Sequence, residues 1–310
     1  MNKIAFLFPG QGAQYIGMGK EFYENIDECK ELFDKGQEIL GYDVKSLVFG
    51  GEIEELTKTK NNQPAILLTS LMCQIALKTR GIDATHTAGL SLGEYGALIY
   101  SGVLRFEDGV FAIKNRASIM DSAVDGGSMA AVLRMDKDGV NRLIDMASEF
   151  GIIEVANYNC PGQIVISGET SAIKESIGIA KGLRGICKEL NVSGPFHSSL
   201  YEKASFEFLE TIKDIEVNSP NKDVYSNLTG EKFSVFNEET KAMFRKQIMS
   251  SVLFEDIINN MINDGVDTFI ELGPGKVLSG FIKKINKEVN IYNVEDLKSL
   301  DETVKAIKGE

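Results

Sequence analysis

Short apolar runs alternate with longer apolar patterns of helical period along this chain. Residues 3–8 are mostly apolar and end at a Pro-Gly pair, as expected for a buried strand of a parallel sheet. Residues 63–80 carry apolar side chains at helical spacing, residues 85–90 indicate a second short strand, and residues 93–100 resume a helical pattern. This alternation of strand and helix predicts an α/β fold with a parallel sheet.

A different order of elements occupies about residues 128–192. The order is strand, helix, strand, strand, helix, strand, at residues 129–133, 138–149, 152–156, 163–167, 171–183 and 186–192. It matches the split βαββαβ unit of ferredoxin-like folds. A Gly-Gly pair precedes the unit and a Ser-Gly-Pro sequence follows it, so residues suited to hinges stand at both ends.

We therefore expect a discontinuous main domain with an inserted subdomain. The main α/β domain takes residues 1–126 and 196–310, and the ferredoxin-like insertion takes residues 127–195. After the insertion, the patterns of the main domain return. They predict a helix after residue 197, a strand near 224–226, helices within 241–263 and a strand at 268–272.

Charge and hydropathy indicate the expected cellular compartment and disfavour some classes of binding partner. The chain has 310 residues, a formal net charge of −12 and no Lys/Arg-rich run, which disfavours binding to nucleic acid. The N-terminal apolar run is too short for a signal-peptide core or a membrane span. We expect a cytoplasmic protein with no membrane partner. An acidic protein partner would need a local basic patch, which the sequence does not locate.

Cysteine and histidine are too sparse to indicate a metal site or a disulfide framework. The four cysteines are scattered without a Cys-x-x-Cys pair, as expected for reduced thiols packed as small apolar groups. Only His86 and His197 are available for histidine chemistry. The sequence thus predicts no metal and no permanently bound cofactor.

The sequence Gly89-Leu90-Ser91-Leu92-Gly93 fits the Gly-x-Ser-x-Gly nucleophile elbow. A predicted strand precedes it and a predicted helix follows, which would present the serine hydroxyl at the carboxyl edge of the sheet. The amide after the serine and the helix N-terminus would lie beneath that hydroxyl. The alternative is a tight strand-helix turn in which the serine only caps the helix, and the five-residue pattern alone does not separate the two.

A glycine-rich turn at residues 10–15 follows the first strand. It lacks a dinucleotide fingerprint because Tyr15 stands at the third glycine position, and no Lys-Ser/Thr pair follows to make a P-loop. Such a turn could instead aim backbone N–H groups at an oxyanion, with Gln11 the natural donor. The alternative is an ordinary strand-helix loop.

An elbow serine needs a base within hydrogen-bond reach. His86 lies in the strand leading to the elbow, where a structural role is expected, whereas His197 lies in a turn and is the better candidate. A hydrolase would place an acid between serine and histidine in chain order. Asp108, Asp121 and Asp136 lie in that interval, but none has a distinguishing context.

Several motifs, taken in order, resemble the malonyl-CoA:acyl-carrier-protein transacylase family. They are Phe8-Pro9-Gly10-Gln11-Gly12, Gln63-Pro64-Ala65, the elbow continued by Glu94-Tyr95, Asn157-Tyr158-Asn159-Cys160-Pro161-Gly162-Gln163, Gly194-Pro195-Phe196-His197-Ser198 and Glu271-Leu272-Gly273-Pro274-Gly275. The likeness covers nearly the whole chain, including the inserted unit. It implies an α/β-hydrolase-like core with a parallel sheet and an inserted ferredoxin-like subdomain.

The resemblance also implies a role for individual residues. Carried over by position, it gives Ser91 as nucleophile, His197 as base, Gln11 and Leu92 as oxyanion donors through their N–H groups, Arg116 as malonate anchor, and Gln247 as the carbonyl that orients the histidine. Gln63, Asn157 and Asn159 match positions near the family's substrate cleft. This chain departs from many relatives in carrying Leu90 where they have histidine.

Two further positions bear on acyl selectivity. Residues 106, 110, 113, 117 and 120 are apolar and line one face of a predicted helix. Arg116 adjoins this apolar stripe, so its guanidinium could reach inward and bind a free carboxylate, although most such arginines are solvated surface residues. Phe196 would narrow the pocket beside the acyl α-carbon and disfavour methylmalonyl units; the alternative is simple core packing.

We expect an enzyme that transfers a malonyl group from malonyl-CoA to the phosphopantetheine thiol of an acyl carrier protein, through a malonyl-serine, for fatty acid synthesis. A monomer is expected. One alternative is a trans-acting acyltransferase of a polyketide synthase, chemically the same with another carrier. Others are a serine thioesterase or hydrolase, which needs no carboxylate anchor, and a non-enzymic acyl-binding scaffold.

Overall fold

The strands of this chain form one parallel and one antiparallel sheet. The computed structural model describes residues 3–123 and 126–309. The strands are β1 Lys3–Phe8, β2 His86–Gly89, β3 Gly127–Leu133, β4 Ile153–Cys160, β5 Gln163–Glu169, β6 Ile186–Glu189, β7 Asp223–Val224, β8 Val266–Leu272 and β9 Asn290–Val294.

Helices cover both faces of the parallel sheet and one face of the antiparallel sheet. They are α1 Lys20–Asn25, α2 Asp27–Leu40, α3 Val44–Gly50, α4 Ile53–Thr57, α5 Thr59–Thr79, α6 Gly93–Tyr100, α7 Phe106–Ser122, α8 Lys137–Ala147, α9 Thr170–Gly182, α10 Glu202–Thr211, α11 Glu238–Met249, α12 Phe254–Asn263, α13 Val277–Ile285 and α14 Leu297–Lys308. Short 3-10 turns lie at Ser148–Phe150 and Ser199–Tyr201. Within the described residues, no helix combines the length and apolar character needed to cross a membrane.

The parallel sheet has the strand order β7-β2-β1-β8-β9, and its core strand β1 is buried from Ala5 to Phe8. Strand β1 pairs in parallel with β2 on one side and with β8 on the other. The carboxyl ends of these three strands therefore lie at one edge of the sheet, where α/β proteins place their sites. The predicted α/β class is confirmed.

The antiparallel sheet has the order β4-β5-β3-β6, which is the order of a ferredoxin-like unit. Its side chains alternate between two faces, as the strand period of two requires. Ala130 and Val132 pack with helices α8 and α9 in a separate apolar cluster. Met129 and Val165 face the other way and join the large cluster of the main body. This second face forms a wall of the cleft described below.

The strand predicted near 224–226 is shorter than expected. Strand β7 has two residues, which pair with His86 and Thr87 of β2. Tyr225 adds one more backbone bond, to Thr87 O at 3.1 Å. Helices α1 to α4, helix α13, strand β9 and helix α14 were not predicted. Of these, α1 to α4 and α14 pack against α5.

Candidate functional site

A sharp turn between β2 and α6 carries Ser91 with a positive φ of 55°. The turn is possible because two glycines let strand and helix come into contact. A Cβ on Gly89 would lie 1.9 Å from the Gly93 carbonyl carbon, and a Cβ on Gly93 would lie 2.0 Å from the Phe8 oxygen. A positive φ is unfavourable for serine, so the surrounding structure must hold it in place.

Ser91 and His197 meet at this turn. Ser91 Oγ lies 2.7 Å from His197 Nε2. His197 also has a positive φ of 60°, and its backbone N–H donates to Ile248 O at 3.2 Å. Two residues far apart in the chain therefore come within hydrogen-bond distance, as the elbow interpretation requires.

The surroundings of His197 set its tautomer. Its Nδ1 lies 2.9 Å from Gln247 O and 3.2 Å from Ser250 O. Carbonyl oxygens only accept, so the proton resides on Nδ1 and the lone pair of Nε2 is free to accept from Ser91. Burial and the nearby Arg116 cation lower the pKa of His197 to about 4, which keeps the ring neutral.

The candidate acids from the sequence do not orient this histidine. Asp108 pairs with Arg105 at 2.7 Å, and Asp136 accepts from Gly139 N as the N-cap of α8. Asp121 is not a hydrogen-bond partner of His197 among the described residues. The arrangement is a Ser-His dyad whose imidazole is oriented by backbone carbonyls.

Arg116 lies directly behind Ser91, with a side chain that is 0% exposed. Its Nη1 donates to Gln63 Oε1 at 2.7 Å, and its Nη2 donates to Gln247 Oε1 and to Ser91 Oγ, each at 3.0 Å. Because the unprotonated Nε2 of His197 can only accept, the Ser91 hydroxyl donates to His197 while its oxygen accepts from Arg116. Burial lowers the pKa of Arg116. The guanidinium points inward, toward Ser91 Oγ.

Gln63 and Gln247 support the arginine. Gln63 Nε2 donates to Gln11 Oε1 at 3.2 Å, so Gln11, Gln63 and Arg116 form a continuous chain of hydrogen bonds. Gln247 Nε2 donates to Ser91 O at 2.8 Å. Gln247 thus contacts Ser91 and Arg116 with its side-chain amide and His197 with its backbone carbonyl. The resemblance had assigned it only the carbonyl that orients the histidine.

The backbone amides near Ser91 differ in whether they have a hydrogen-bond acceptor. Ser91 N is occupied, because it donates to Asn227 Oδ1 at 2.7 Å. In contrast, the N–H groups of Leu92 and Gln11 donate to no protein acceptor among the described residues. Leu92 follows the serine at the start of α6, and Gln11 shares a cleft with Ser91 and His197. Backbone amides without a protein acceptor beside a serine hydroxyl are groups that can stabilise an oxyanion.

The cleft in front of Ser91 runs between the two sheets. Its lining comprises Gly10, Gln11, Leu90, Ser91, Met129, Ala131, Asn157, Asn159, Gln163, Val165, Leu190, Val192, Phe196, His197, Val277 and Phe281. Asn157 and Asn159 belong to β4 and face this space from the antiparallel sheet. Phe196 forms part of the wall beside His197, and its ring lies 5.7 Å from that of Tyr201. Leu90 also lines the cleft and packs on Gly10.

Two contributors to the site were missed from the sequence. Asn227 Nδ2 donates to Gly89 O, and Asn227 N donates to Glu94 Oε1, each at 2.6 Å. Burial raises the pKa of Glu94 to about 7, against the opposing effects of the Asn227 N–H and Arg116. Asn227 lies three residues after the end of the parallel strand β7, and that position near the carboxyl edge of the sheet was the signal available in the sequence.

Other polar residues lie apart from the site. His86 Nε2 lies 3.3 Å from Asp223 Oδ2, where β2 begins, so His86 has the structural position expected for it. Among the described residues, no group of three or more His, Cys, Asp or Glu is arranged to hold a metal ion.

Comparison with known proteins gives a consistent set of relatives. The acyl transferase domain model matches residues 5–303. The malonyl CoA-acyl carrier protein transacylase of Bacillus subtilis (strain 168) is 42% identical over 316 residues, covering 100% of this chain and 99% of the relative.

Two solved structures extend the comparison. The malonyl CoA-acyl carrier protein transacylase from Clostridium perfringens has a TM-score of 0.95 and 46% identity, covering 99% of this chain and 98% of that one. A malonyl-transacylase in complex with its type II PKS acyl-carrier protein has a TM-score of 0.93 and 29% identity, covering 99% and 100%.

Proposed function

This chain belongs to the malonyl-CoA:acyl-carrier-protein transacylase family of acyl transferases, and we propose that Ser91 and His197 carry out the transfer. The substrates are malonyl-CoA and the phosphopantetheine thiol of an acyl carrier protein, as part of fatty acid synthesis. The observation that carries the proposal is the 2.7 Å contact of Ser91 Oγ with His197 Nε2, with Arg116 Nη2 on the same oxygen at 3.0 Å.

In the first half-reaction, Ser91 Oγ attacks the thioester carbonyl carbon while His197 Nε2 takes the hydroxyl proton. The negative charge on the tetrahedral oxygen is stabilised by the N–H groups of Leu92 and Gln11. The carbon–sulfur bond then breaks, and His197 returns the proton to the departing sulfur. The products are coenzyme A as a thiol and a malonyl ester on Ser91.

The second half-reaction runs the same steps with another thiol. The carrier's phosphopantetheine thiol gives its proton to His197 and attacks the ester carbonyl. The carbon–oxygen bond to Ser91 breaks, and Ser91 recovers the proton. A neutral carbonyl behind His197 stabilises an imidazolium less than a carboxylate would, but thioesters are activated acyl donors and tolerate this. The proposed steps use the chain's own residues and require no bound cofactor.

Selectivity for malonyl follows from the fully buried Arg116. Its Nη groups now donate to neutral oxygens of Gln63, Gln247 and Ser91. The free carboxylate of a malonyl ester is a stronger acceptor and can take two parallel bonds from the planar guanidinium. Phe196, beside His197 in the cleft wall, limits the space for a branched acyl group.

The cleft between the two sheets suggests where the boundary between the catalytic domain and the inserted subdomain lies. We assign residues 1–126 and 196–310 to the catalytic domain and residues 127–195 to an inserted subdomain that supplies one cleft wall. The separate apolar cluster of the antiparallel sheet supports this division. Residues 1, 2, 124, 125 and 310 of these ranges lie outside the described residues. We further assign Asn157 and Asn159 to contacts with the thioester substrate.

An acidic carrier needs a basic docking surface despite the net charge of −12. Lys276, Lys283 and Lys284 are exposed on and beside α13. The same helix lines the cleft with Val277 and Phe281. We therefore place carrier docking at this basic surface of α13, and we expect the protein to act as a monomer in the cytoplasm.

Acceptor competition tests the proposed function against hydrolysis. Purified protein is mixed with malonyl-CoA and holo acyl carrier protein, and loaded carrier and free malonate are both quantified. We expect carrier loading to exceed malonate release by a wide margin. Release of malonate faster than loading would instead make the protein a thioesterase, which shares the elbow but uses water as acceptor.

A further inference from the structure

The side chain of Asn227 continues the parallel sheet past the end of its backbone ladder. The ladder between β7 and β2 ends where Tyr225 N donates to Thr87 O at 3.1 Å. Gly89 lies two residues after Thr87, and Asn227 lies two residues after Tyr225. Here Gly89 O accepts from the side-chain Nδ2 of Asn227 at 2.6 Å instead of from a backbone N–H. The Asn227 side chain therefore occupies the next position of the ladder.

The side-chain amide of Asn227 makes a second bond, through its oxygen, to the strand end that carries Ser91. In a parallel pair, the N–H of one residue donates to the residue before its partner, and the C=O of that same residue accepts from the residue after its partner. Asn227 Nδ2 donates to Gly89 O, and Asn227 Oδ1 accepts from Ser91 N at 2.7 Å, so the amide pairs with Leu90 as a strand residue would. On the opposite side, Leu90 N donates to Phe8 O at 2.9 Å. The chain is thus held as a sheet strand up to Ser91.

Asn227 also contacts the helix that follows the serine. Its backbone N–H donates at 2.6 Å to Glu94 Oε1, in the first turn of α6. Both side chains are buried, at 0% exposure for Asn227 and 1% for Glu94. One residue thereby ties together the strand end, the serine and the next helix, which are the three parts that must be fixed to hold Ser91 at a positive φ.

We propose that Asn227 is a positioning residue for the nucleophile: it holds Ser91 in its left-handed conformation and keeps the Ser91 N–H away from the oxyanion. The oxyanion is then left to the amides of Leu92 and Gln11. The inference rests on the proposed function, in which Ser91 is the nucleophile. Asn227 touches no reacting atom and acts through Ser91.

The first test compares Asn227→Ala with the matched control Asn260→Ala. Asn260 Nδ2 donates to Gly230 O at 2.9 Å, so the control removes a similar bond from the same loop without contacting Ser91. Misplacing the reacting oxygen should lower kcat for malonyl-serine formation by about 100-fold in Asn227→Ala, with KM for malonyl-CoA nearly unchanged. The control should keep the wild-type kcat, and melting temperatures are measured for both.

A second variant, Asn227→Asp, gives a pH signature that a general loss of stability would not produce. A neutral carboxyl can donate to Gly89 O and accept from Ser91 N, whereas a carboxylate cannot donate. The titratable and charged groups around this position are Glu94, which accepts from Asn227 N, and Arg116 and His197, which both contact Ser91 Oγ. Burial and the adjacent Glu94 should raise the pKa of the new carboxyl. The ratio of variant to wild-type kcat should therefore rise as pH falls from about 8 to about 6.

Labelling of Ser91 by phenylmethanesulfonyl fluoride, read by intact mass, separates this proposal from the proposed function. If wild-type protein were labelled but accepted no malonyl group, that result would refute only the proposed function. The role of Asn227 would still be tested by comparing the labelling rates of the variants with that of wild type. The proposal would be overturned if Asn227→Ala formed malonyl-serine and reacted with phenylmethanesulfonyl fluoride at wild-type rates. It would also be overturned if the two rates fell by the same factor in Asn227→Ala as in Asn260→Ala. If Asn227→Ala does not fold, a pH-independent ratio for Asn227→Asp would overturn it.

Discussion

Replacing Arg116 by alanine removes the cation nearest the reacting oxygen. The guanidinium is fully buried, and Nη2 lies 3.0 Å from Ser91 Oγ, so a malonyl group on Ser91 carries its free carboxylate into this immediate neighbourhood. An acetyl group in the same place offers no carboxylate. The substitution should therefore slow acylation by malonyl-CoA far more than acylation by acetyl-CoA, although both lose the bond to Ser91 Oγ.

The size of the effect follows from the bonds involved. A hydrogen bond to a charged group contributes about 1.5–3 kcal/mol, which corresponds to roughly a 10- to 100-fold loss in the preference for malonyl over acetyl. A second effect concerns His197, whose pKa is lowered by burial and then by Arg116. Loss of the cation raises that pKa, so the acidic limb of the acylation rate should move to higher pH.

The assay offers malonyl-CoA and acetyl-CoA together and measures each acyl-serine by intact mass over time. Arg245→Ala is the matched control, because Arg245 lies 4.3 Å from the Phe206 ring and does not line the cleft. The control should keep the wild-type preference. If Arg116→Ala were slower with both donors but kept the same preference, the guanidinium would not be the carboxylate anchor.

Further predictions concern the base, the acyl pocket and the carrier. Because the pKa of His197 is lowered to about 4, wild-type acylation should stay level down to about pH 5 and fall only below it; a fall centred near pH 6.5 would contradict the burial argument. Phe196→Ala should raise kcat/KM for methylmalonyl-CoA relative to malonyl-CoA by about 10-fold, measured in competition, and an unchanged ratio would assign Phe196 to packing alone. Charge reversal at Lys283 and Lys284 should raise KM for the carrier several-fold without slowing malonyl-serine formation, whereas an unchanged carrier KM would move the docking surface elsewhere.

Local patterns in the sequence were sufficient for the fold class and the elbow. The apolar run of β1, the glycines around Ser91 and the βαββαβ order each depend on neighbouring residues, and such features can be read from one chain. The place of Arg116 beside the apolar stripe of α7 allowed an inward direction, but only the resemblance to the family favoured it over a solvated surface arginine. These predictions agree with the structure because secondary structure and turn geometry are largely set by nearby residues.

Features that depend on distant contacts could not be derived in this way. The imidazole of His197 is oriented by the carbonyls of Gln247 and Ser250, and backbone groups leave no mark in a sequence. The role of Asn227 depends on a strand that ends after two residues, so that a side chain replaces the missing backbone amide. The Gln63 contact with Arg116 joins two helices and likewise has no local signal.

The most direct test of the central claim is intact mass after brief mixing with malonyl-CoA in the absence of a carrier. Wild-type protein should gain one malonyl group, located on Ser91 by peptide mapping. Ser91→Ala should gain none, and His197→Ala should gain it at a rate reduced by about 100-fold or more. A malonyl adduct that forms at the wild-type rate in Ser91→Ala would show that the covalent intermediate is elsewhere and would contradict the account.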